Sequence, residues 1–268
     1  MEDLDSIETS FVIPCLNEER TLKNVIENCH EAGKYSSSYE VIVADNGSTD
    51  NSVEIAKANN AKIVNVPIRG YGAALREGIN QASGKYVVMG DSDSTYNFLD
   101  SVAMVEKLRS AKYSLVMGNR FGQIEENAMP FLHRYLGNPV LTTIGRILFG
   151  ANVRDFHCGL RAFNRKDIIG LNLKSQGMEF ASEMVLRSCL AGLSITEVPA
   201  RLSKDHPDRK PHLRTWRDGW RHVKFMFSFS PKYLYSPLSL FFLLSSFFLL
   251  IVNLIQIEPF SGSNTLAV

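Results

Sequence analysis

The sequence predicts an α/β fold: a mainly parallel sheet flanked by helices, then an amphipathic helix and one long apolar helix. Three observations carry this expectation. Short β-branched runs alternate with helix-period segments through the first half of the chain, as βαβ units require. Polar clusters follow directly after those runs, at the strand ends where ligands bind in such sheets. Near the C-terminus, Pro237 to Ile257 reads PLSLFFLLSSFFLLIVNLIQI without one charge, and about 20 apolar residues suffice to cross a bilayer.

In chain order, Ser10 to Pro14 is a short apolar strand. Glu18 to His30 is a helix with Leu22, Val25, Ile26 and Cys29 on one face. Glu40 to Ala44 is a second strand that runs into Asp45-Asn46-Gly47, and Ser48 or Thr49 caps the helix carrying Val53 and Ala56. Ala61 to Val66 is a third strand. Gly70 to Ala82 is a helix entered through Gly-Tyr-Gly, and Tyr86 to Met89 is a fourth strand. Leu115 to Met117 is a fifth. The second half is less regular. It predicts helices over Pro130–Phe149 and Gly177–Leu190, with Glu179 and Glu183 four apart on one face, and a late strand over Ile195–Pro199.

The 268 residues accommodate one large α/β domain or two small ones. A net charge of +1 gives no bias toward nucleic acid, and none is expected as a partner. The charge is uneven, however. From Arg201 to Lys232 only Asp205, Asp208 and Asp218 oppose a dense basic block. Within that block, Leu213 to Phe229 interleaves Trp216, Trp220 and Phe225 with Arg214, Arg217, Arg221 and Lys224. This pattern suits either an interfacial helix with snorkelling cations or an ordinary surface helix, and adjacency to the apolar run favours the first. Met1 to Thr9 is acidic and polar, unlike a signal peptide. Basic residues before the apolar run and none after it place the large N-terminal part on the cytoplasmic face of a single-pass protein. Cys15, Cys29, Cys158 and Cys189 lack CxxC spacing and read as reduced thiols. The expected organisation is a domain over 1–205, a basic juxtamembrane segment over 206–232, a transmembrane helix over 233–257 and a tail over 258–268.

Asp91-Ser92-Asp93 follows the fourth strand. Two carboxylates so close at the edge of a core raise the cost of ionising each other. A hard cation, Mg²⁺ or Mn²⁺, relieves that cost and takes carboxylate and phosphate oxygens. Taken alone the tripeptide reads equally as a solvated turn. Pro14-Asn17-Glu18 and Asp45-Asn46-Gly47 fall at neighbouring strand ends, which favours a metal–diphosphate site with ligands Asp91 and Asp93.

The order and spacing of the motifs extend this. They are Ile13-Pro14-Cys15-Leu16-Asn17-Glu18, Ala44-Asp45-Asn46-Gly47-Ser48-Thr49-Asp50, Arg69-Gly70-Tyr71-Gly72, Gly84-Lys85-Tyr86 with Asp91 and Asp93, Gly118-Asn119-Arg120, Asp155 to Phe163, and Gly177 to Phe180. Over about residues 10–232 the chain resembles family-2 glycosyltransferases of the polyprenyl-phosphate type, the dolichyl-phosphate mannosyl- and glucosyltransferases and their undecaprenyl counterparts. The resemblance implies a GT-A, Rossmann-like domain and a nucleotide-sugar donor. It implies that Pro14, Glu18 and Asp45 contact the base and ribose, with Asn17 and Asp91 also on the donor side. Gly70 and Gly72 either admit the nucleotide close to the backbone or merely form a helix-entry turn. Leu75 at the third glycine position rules out a dinucleotide fingerprint. Asn46 stands where a second acid is common, and Thr95 is a poor ligand.

The implied acceptor is a polyprenyl phosphate, an anion that needs positioning and screening more than a base. By resemblance Arg120 and Arg134 hold its phosphate, with Asn138 one turn on. Arg120, Arg134 and Asp93 are therefore the expected catalytic set, and Arg161 and Arg209 are further candidates. Glu183 orients an arginine, serves as a base or makes a structural salt bridge, and His212 is either a further ligand or a surface residue. Two other readings stay open: a glycosyltransferase for another glycolipid or a small soluble acceptor, and a membrane-tethered nucleotide-sugar-binding protein without catalysis. UDP-hexose is favoured over GDP-mannose.

Overall fold

The computed structural model describes residues 7–126, 128–204 and 215–256. Arg209, His212 and the tail over 258–268 lie outside the described residues. The first unit, Met1–Met226, is built on one seven-stranded sheet of order β3-β2-β1-β4-β6-β5-β7.

β1 (Thr9–Cys15) is buried along its whole length and pairs in parallel with β2 (Tyr39–Asp45) and β4 (Tyr86–Met89). β3 (Lys62–Asn65) adds in parallel to β2. The crossovers are α1 (Leu22–Gly33), α2 (Ser52–Ala58) and α3 (Tyr71–Gln81). α1 buries Leu22, Val25, Ile26 and Cys29, the predicted face, against a core with Phe11, Ile13 and Val43. Because β1 and β2 are central and covered, they read as continuous apolar runs.

Several boundaries move for physical reasons. α1 begins at Leu22, because the backbone at Asn17 turns through the left-handed region (φ 58°) before a helix can form. α2 begins at Ser52, whose N–H donates to Asp50 Oδ1 at 3.0 Å. Ser48 and Thr49 are not its caps; they bond to Asp45 and Asn17 instead. The helix α4 (Ser101–Arg109), which precedes β5 (Leu115–Asn119), is additional to the expected elements.

Pro130 to Phe149 is not one regular helix. His133–Gly137 is a π-helical turn, followed by α5 (Asn138–Phe149). Pro139 has no N–H to give the Tyr135 carbonyl, so the turn opens there. The largest departure is β6 (Arg161–Asn164), antiparallel to both β4 and β5. It is short, opens on an arginine and has no polar alternation. α6 (Arg165–Gly170), α7 (Glu179–Leu190) and β7 (Ile195–Pro199) complete the sheet unit, with β7 parallel to β5.

α8 (Thr215–Ser228) occupies the predicted amphipathic stretch. Among its described side chains His222 and Met226 are buried, while Trp220 is exposed. His222 Nδ1 lies 2.9 Å from Ser182 Oγ on α7, and its ring stands edge-on to His157. His157 is enclosed, and its Nδ1 finds no partner in the structure. Burial first, then His222, Arg161 and Arg120, push its imidazole well below the ordinary value. The unfolded chain takes up this proton near pH 6.5 and the folded protein does not. Stability from this group is complete above about pH 6.5 and is lost as pH falls, by up to about 1.4 kcal/mol per unit. Thermal melting of the detergent-solubilised protein between pH 7.5 and 5 is expected to show that slope, and His157→Gln to reduce it.

The second unit, Phe227–Val268, is described by α9 (Pro231–Gln256). Among the described residues it is the one helix long and apolar enough to cross a membrane, with mean hydropathy 2.2 over Pro231–Leu254. It starts at Pro231, two residues before the expected 233, since proline fits the first turn of a helix.

Candidate active site

The polar clusters meet at the carboxyl edge of β2, β1 and β4, joined by short hydrogen bonds. Asn17 accepts from Thr49 N–H (2.8 Å), and its own N–H donates to Ser48 Oγ (3.0 Å), which ties the loop after β1 to the loop after β2. Asp45 is buried and accepts from the N–H groups of Gly47 and Ser48, both at 3.1 Å. Glu18 is buried, with its N–H on Ser52 Oγ (2.9 Å) and Thr21 Oγ1 3.3 Å from its carboxylate. Thr21 Oγ1 also donates to the Ser92 carbonyl at 2.7 Å and so reaches the acidic loop after β4. Pro14 is buried within β1, opposite Ala44.

Asn46 acquires a definite role here. Its Nδ2 donates to the carbonyls of Val66 (3.1 Å) and Ile68 (2.8 Å), and its Oδ1 accepts from Gly70 N–H (2.6 Å). An aspartate would face two carbonyls with no proton to give. The amide is required by the loop it pins.

Gly70 and Gly72 are explained by packing within the protein. Gly70 sits at φ +141°, with the Gln176 carbonyl where a side chain would be. A Cβ on Gly72 would lie 2.6 Å from Phe180 Cβ and from the Ser175 carbonyl. The N–H groups of Gly72 and Ala73 donate to Gln176 O at 2.9 and 3.1 Å. The first turn of α3 is thus satisfied by protein, which accounts for both glycines without a nucleotide.

In the acidic loop, Asp93 Oδ1 accepts from Thr95 Oγ1 (2.6 Å) and Thr95 N–H (3.0 Å) across Ser94, a non-glycine residue at φ 62°. Strained backbone of this kind persists where surrounding bonds over-determine it. Thr95 braces Asp93. Asp91 Oδ1 accepts from Tyr71 OH at 2.7 Å, and its Oδ2 lies where a side chain on Gly159 would stand. Asp91 and Asp93 offer hard oxygen donors that fit a divalent cation. The described residues bring no third His, Cys, Asp or Glu into a metal-holding group. The remaining ligands would be diphosphate oxygens and water, as suits Mg²⁺ or Mn²⁺.

Arg120 follows β5 as predicted, but its guanidinium is engaged. Nε and Nη2 pair with Oδ2 (2.7 Å) and Oδ1 (2.8 Å) of the fully buried Asp155, and Nη1 reaches Tyr96 OH at 3.3 Å. Burial works against this charge, while Tyr96 and Asp155 hold it on, leaving the group well above the ordinary arginine value. The Arg120 charge is thus offset inside the protein by Asp155. Gly159 N–H donates to the same Tyr96 hydroxyl at 2.9 Å, linking Arg120 to the Asp91 neighbourhood.

Arg161 is fully buried, and its guanidinium donates to the carbonyls of Cys158 (2.8 Å), Phe156 (3.1 Å) and Ala181. It braces the 156–158 loop against α7. Glu183 is buried too. It accepts from Ser175 N–H (2.7 Å), Lys174 N–H (2.9 Å) and Arg187 Nε (2.7 Å). Burial opposes its charge, but these donors hold its carboxyl below the ordinary range. Of the three readings of Glu183, the structural one fits this geometry.

Among the described residues, Arg134 and Asn138 make side-chain contacts to Tyr135 and Met129 of their own segment. Arg134 is half-buried, stacked 5.5 Å from the Tyr135 ring centre, and Asn138 Nδ2 lies 3.4 Å from Met129 Sδ. Phe131, Leu132, Tyr135 and Leu136 around them are each more than half exposed. α5 docks on the Asp155–Gly159 loop through Gly145, where any side chain would meet the Phe156 ring.

Residues 10–170 match the family description "Glycosyl transferase family 2". The chain is 39% identical over 230 residues to a low-salt glycan biosynthesis hexosyltransferase of Haloferax volcanii, covering 85% of this chain and 55% of that protein, so it spans about half of that relative. It is 25% identical over 226 residues to the dolichyl-phosphate beta-glucosyltransferase of Saccharomyces cerevisiae, covering 74% of this chain and 67% of that one. Glucosyl-3-phosphoglycerate synthase of Mycobacterium tuberculosis, solved with Mg²⁺ and UDP, shares the fold at a TM-score of 0.63 and 24% identity, over 84% of this chain and 80% of that one. The GT-A-like sheet, the ordered strand-end motifs and these matches agree: the chain belongs to glycosyl transferase family 2.

Proposed function

We propose that the protein transfers a hexose, with inversion, from a nucleoside diphosphate sugar to a polyprenyl phosphate at the cytoplasmic membrane face. UDP-hexose is the favoured donor. The observation that carries this reading is the presence in one fold of two elements, each of which borders the 155–159 loop, at Gly159 and at Phe156 respectively. One is the braced Asp91/Asp93 loop. The other is an arginine-bearing segment whose neighbours Phe131, Leu132, Tyr135 and Leu136 are exposed apolar side chains. A soluble acceptor gives no reason for that surface, whereas a lipid does. The similarity to the yeast dolichyl-phosphate beta-glucosyltransferase supports the same acceptor class. α9 is proposed as the membrane span.

In this mechanism Pro14, Asn17, Glu18 and Asp45 line the donor base and ribose, and Asp91 and Asp93 would hold Mg²⁺ or Mn²⁺, which would supply charge neutralisation for the departing nucleoside diphosphate. An anionic oxygen of the acceptor phosphate bonds to the anomeric carbon on the face opposite the diphosphate. The carbon–oxygen bond to the diphosphate breaks, and its electron pair leaves with the nucleotide. The chain therefore needs cations that position the phosphate rather than a strong base. Arg134 takes that role, with Asn138 as a neutral hydrogen-bond donor to the same phosphate, and Arg120 holds Tyr96 and Asp155 in place.

The test is a donor screen on membranes supplied with polyprenyl phosphate, reading released nucleotide and lipid product together. Nucleotide release without lipid product would sink the acceptor assignment. Arg134→Ala is expected to raise the acceptor KM about 10- to 100-fold, the equivalent of one charged hydrogen bond, with the donor KM unchanged. Equal change in both would argue against its role.

A further inference from the structure

The contact between Tyr71 and Asp91 is not accounted for by fold or donor binding. Tyr71 opens α3, and its hydroxyl donates to Asp91 Oδ1 at 2.7 Å. On the other side of the same carboxylate, Oδ2 lies 2.8 Å from where a Cβ on Gly159 would be. One oxygen is held by a donor, and the other occupies room that only a glycine leaves. The carboxylate orientation is thus selected from both sides.

Tyr71 is itself anchored. The next two N–H groups of α3, on Gly72 and Ala73, donate to the Gln176 carbonyl. Gln176 follows Lys174 and Ser175, whose N–H groups end on the buried Glu183 carboxylate. A short chain of bonds therefore runs from Glu183 through the 174–176 segment to Tyr71 and Asp91.

We propose that Tyr71 is a positioning residue that fixes Asp91 in its cation-binding orientation before the cation and nucleotide arrive. This rests on the reading of Asp91 and Asp93 as a cation–diphosphate site. A carboxylate held by a neighbouring donor need not be ordered on binding, and losing such outer partners typically costs about 10- to 100-fold in metal affinity.

The experiment uses the detergent-solubilised full chain, Mn²⁺ as probe, and UDP or, in parallel, GDP. Free Mn²⁺ is read by electron paramagnetic resonance, independently of turnover. Tyr71→Phe is expected to weaken Mn²⁺ binding about tenfold, with an unchanged melting midpoint. Half-saturating Mn²⁺ for transfer should rise by the same factor, while kcat at saturating Mn²⁺ stays within about twofold. A purely structural role would not give rescue by added metal. Gly159→Ala, which crowds Asp91 from its other side, is expected to weaken Mn²⁺ binding as well and serves if Tyr71→Phe does not fold. If the wild type binds Mn²⁺ and Asp93→Asn does not, yet Tyr71→Phe binds as tightly as wild type or tighter, the Tyr71 proposal is overturned and the site reading stands. If the wild type takes up no Mn²⁺ with either nucleotide, both fall.

Discussion

Asp93→Asn is expected to lower kcat/KM for transfer about a thousandfold. Charge stabilisation by a bound cation at a departing diphosphate is worth several kcal/mol, and about 4 kcal/mol is a factor of about a thousand. Asparagine is the informative replacement, because Asp93 has a second task. Its Oδ1 accepts from Thr95 N–H and Oγ1 and so holds the strained turn at Ser94. The amide oxygen keeps that acceptor and removes only the charge. Alanine would remove both and confuse a loosened loop with a lost ligand. The measurement is initial-rate transfer across a Mg²⁺ and Mn²⁺ titration, beside a melting curve. Activity within tenfold of wild type, with the fold intact, would sink the metal assignment.

Asp155→Ala is expected to destabilise the protein by about 3–5 kcal/mol, the usual result of removing one partner from a buried ion pair. Asp155 has no exposed surface and takes three donors from Arg120: Nε, Nη2 and the backbone N–H at 3.0 Å. Without it the Arg120 guanidinium stays enclosed with its charge uncompensated. The loss should appear in urea unfolding of the detergent-solubilised protein as a lower midpoint. A change under about 1 kcal/mol would mean that water or another acid reaches Arg120. The pair also locates the chain near the site, since Tyr96 connects Arg120 to Gly159 beside Asp91.

The first half of the fold was legible because its signals are local. β1, β2 and β4 are covered on both faces and are continuous apolar runs, and α1 shows one apolar stripe at helical spacing. β6 was not legible. Its four residues open on Arg161, whose burial is possible only because the carbonyls of Cys158 and Phe156 on the loop before it and of Ala181 on α7 accept its protons. The π-helical turn before Pro139 had a signal in the proline itself, the missing N–H inside a helical pattern. The acidic loop was recognisable from spacing and strand context. Tyr71 was not, because a tyrosine between two glycines does not announce which carboxylate it will meet.

Local pattern in the sequence determined the strand–helix alternation, the strand-end clusters, the Asp91/Asp93 pair and the long apolar helix. Periodicity, turn chemistry and charge act over a few residues, and one chain displays them. Tertiary structure alone decided what each polar group is paired with. Arg120 is engaged by Asp155, Asn46 pins a loop, Glu183 holds a backbone segment, and Gly70 and Gly72 make room for Gln176 and its neighbours. Burial makes an unpaired polar group costly, so each of these is assigned by whichever partner the fold brings within hydrogen-bond distance, and the partners just named lie eight or more residues away in the chain.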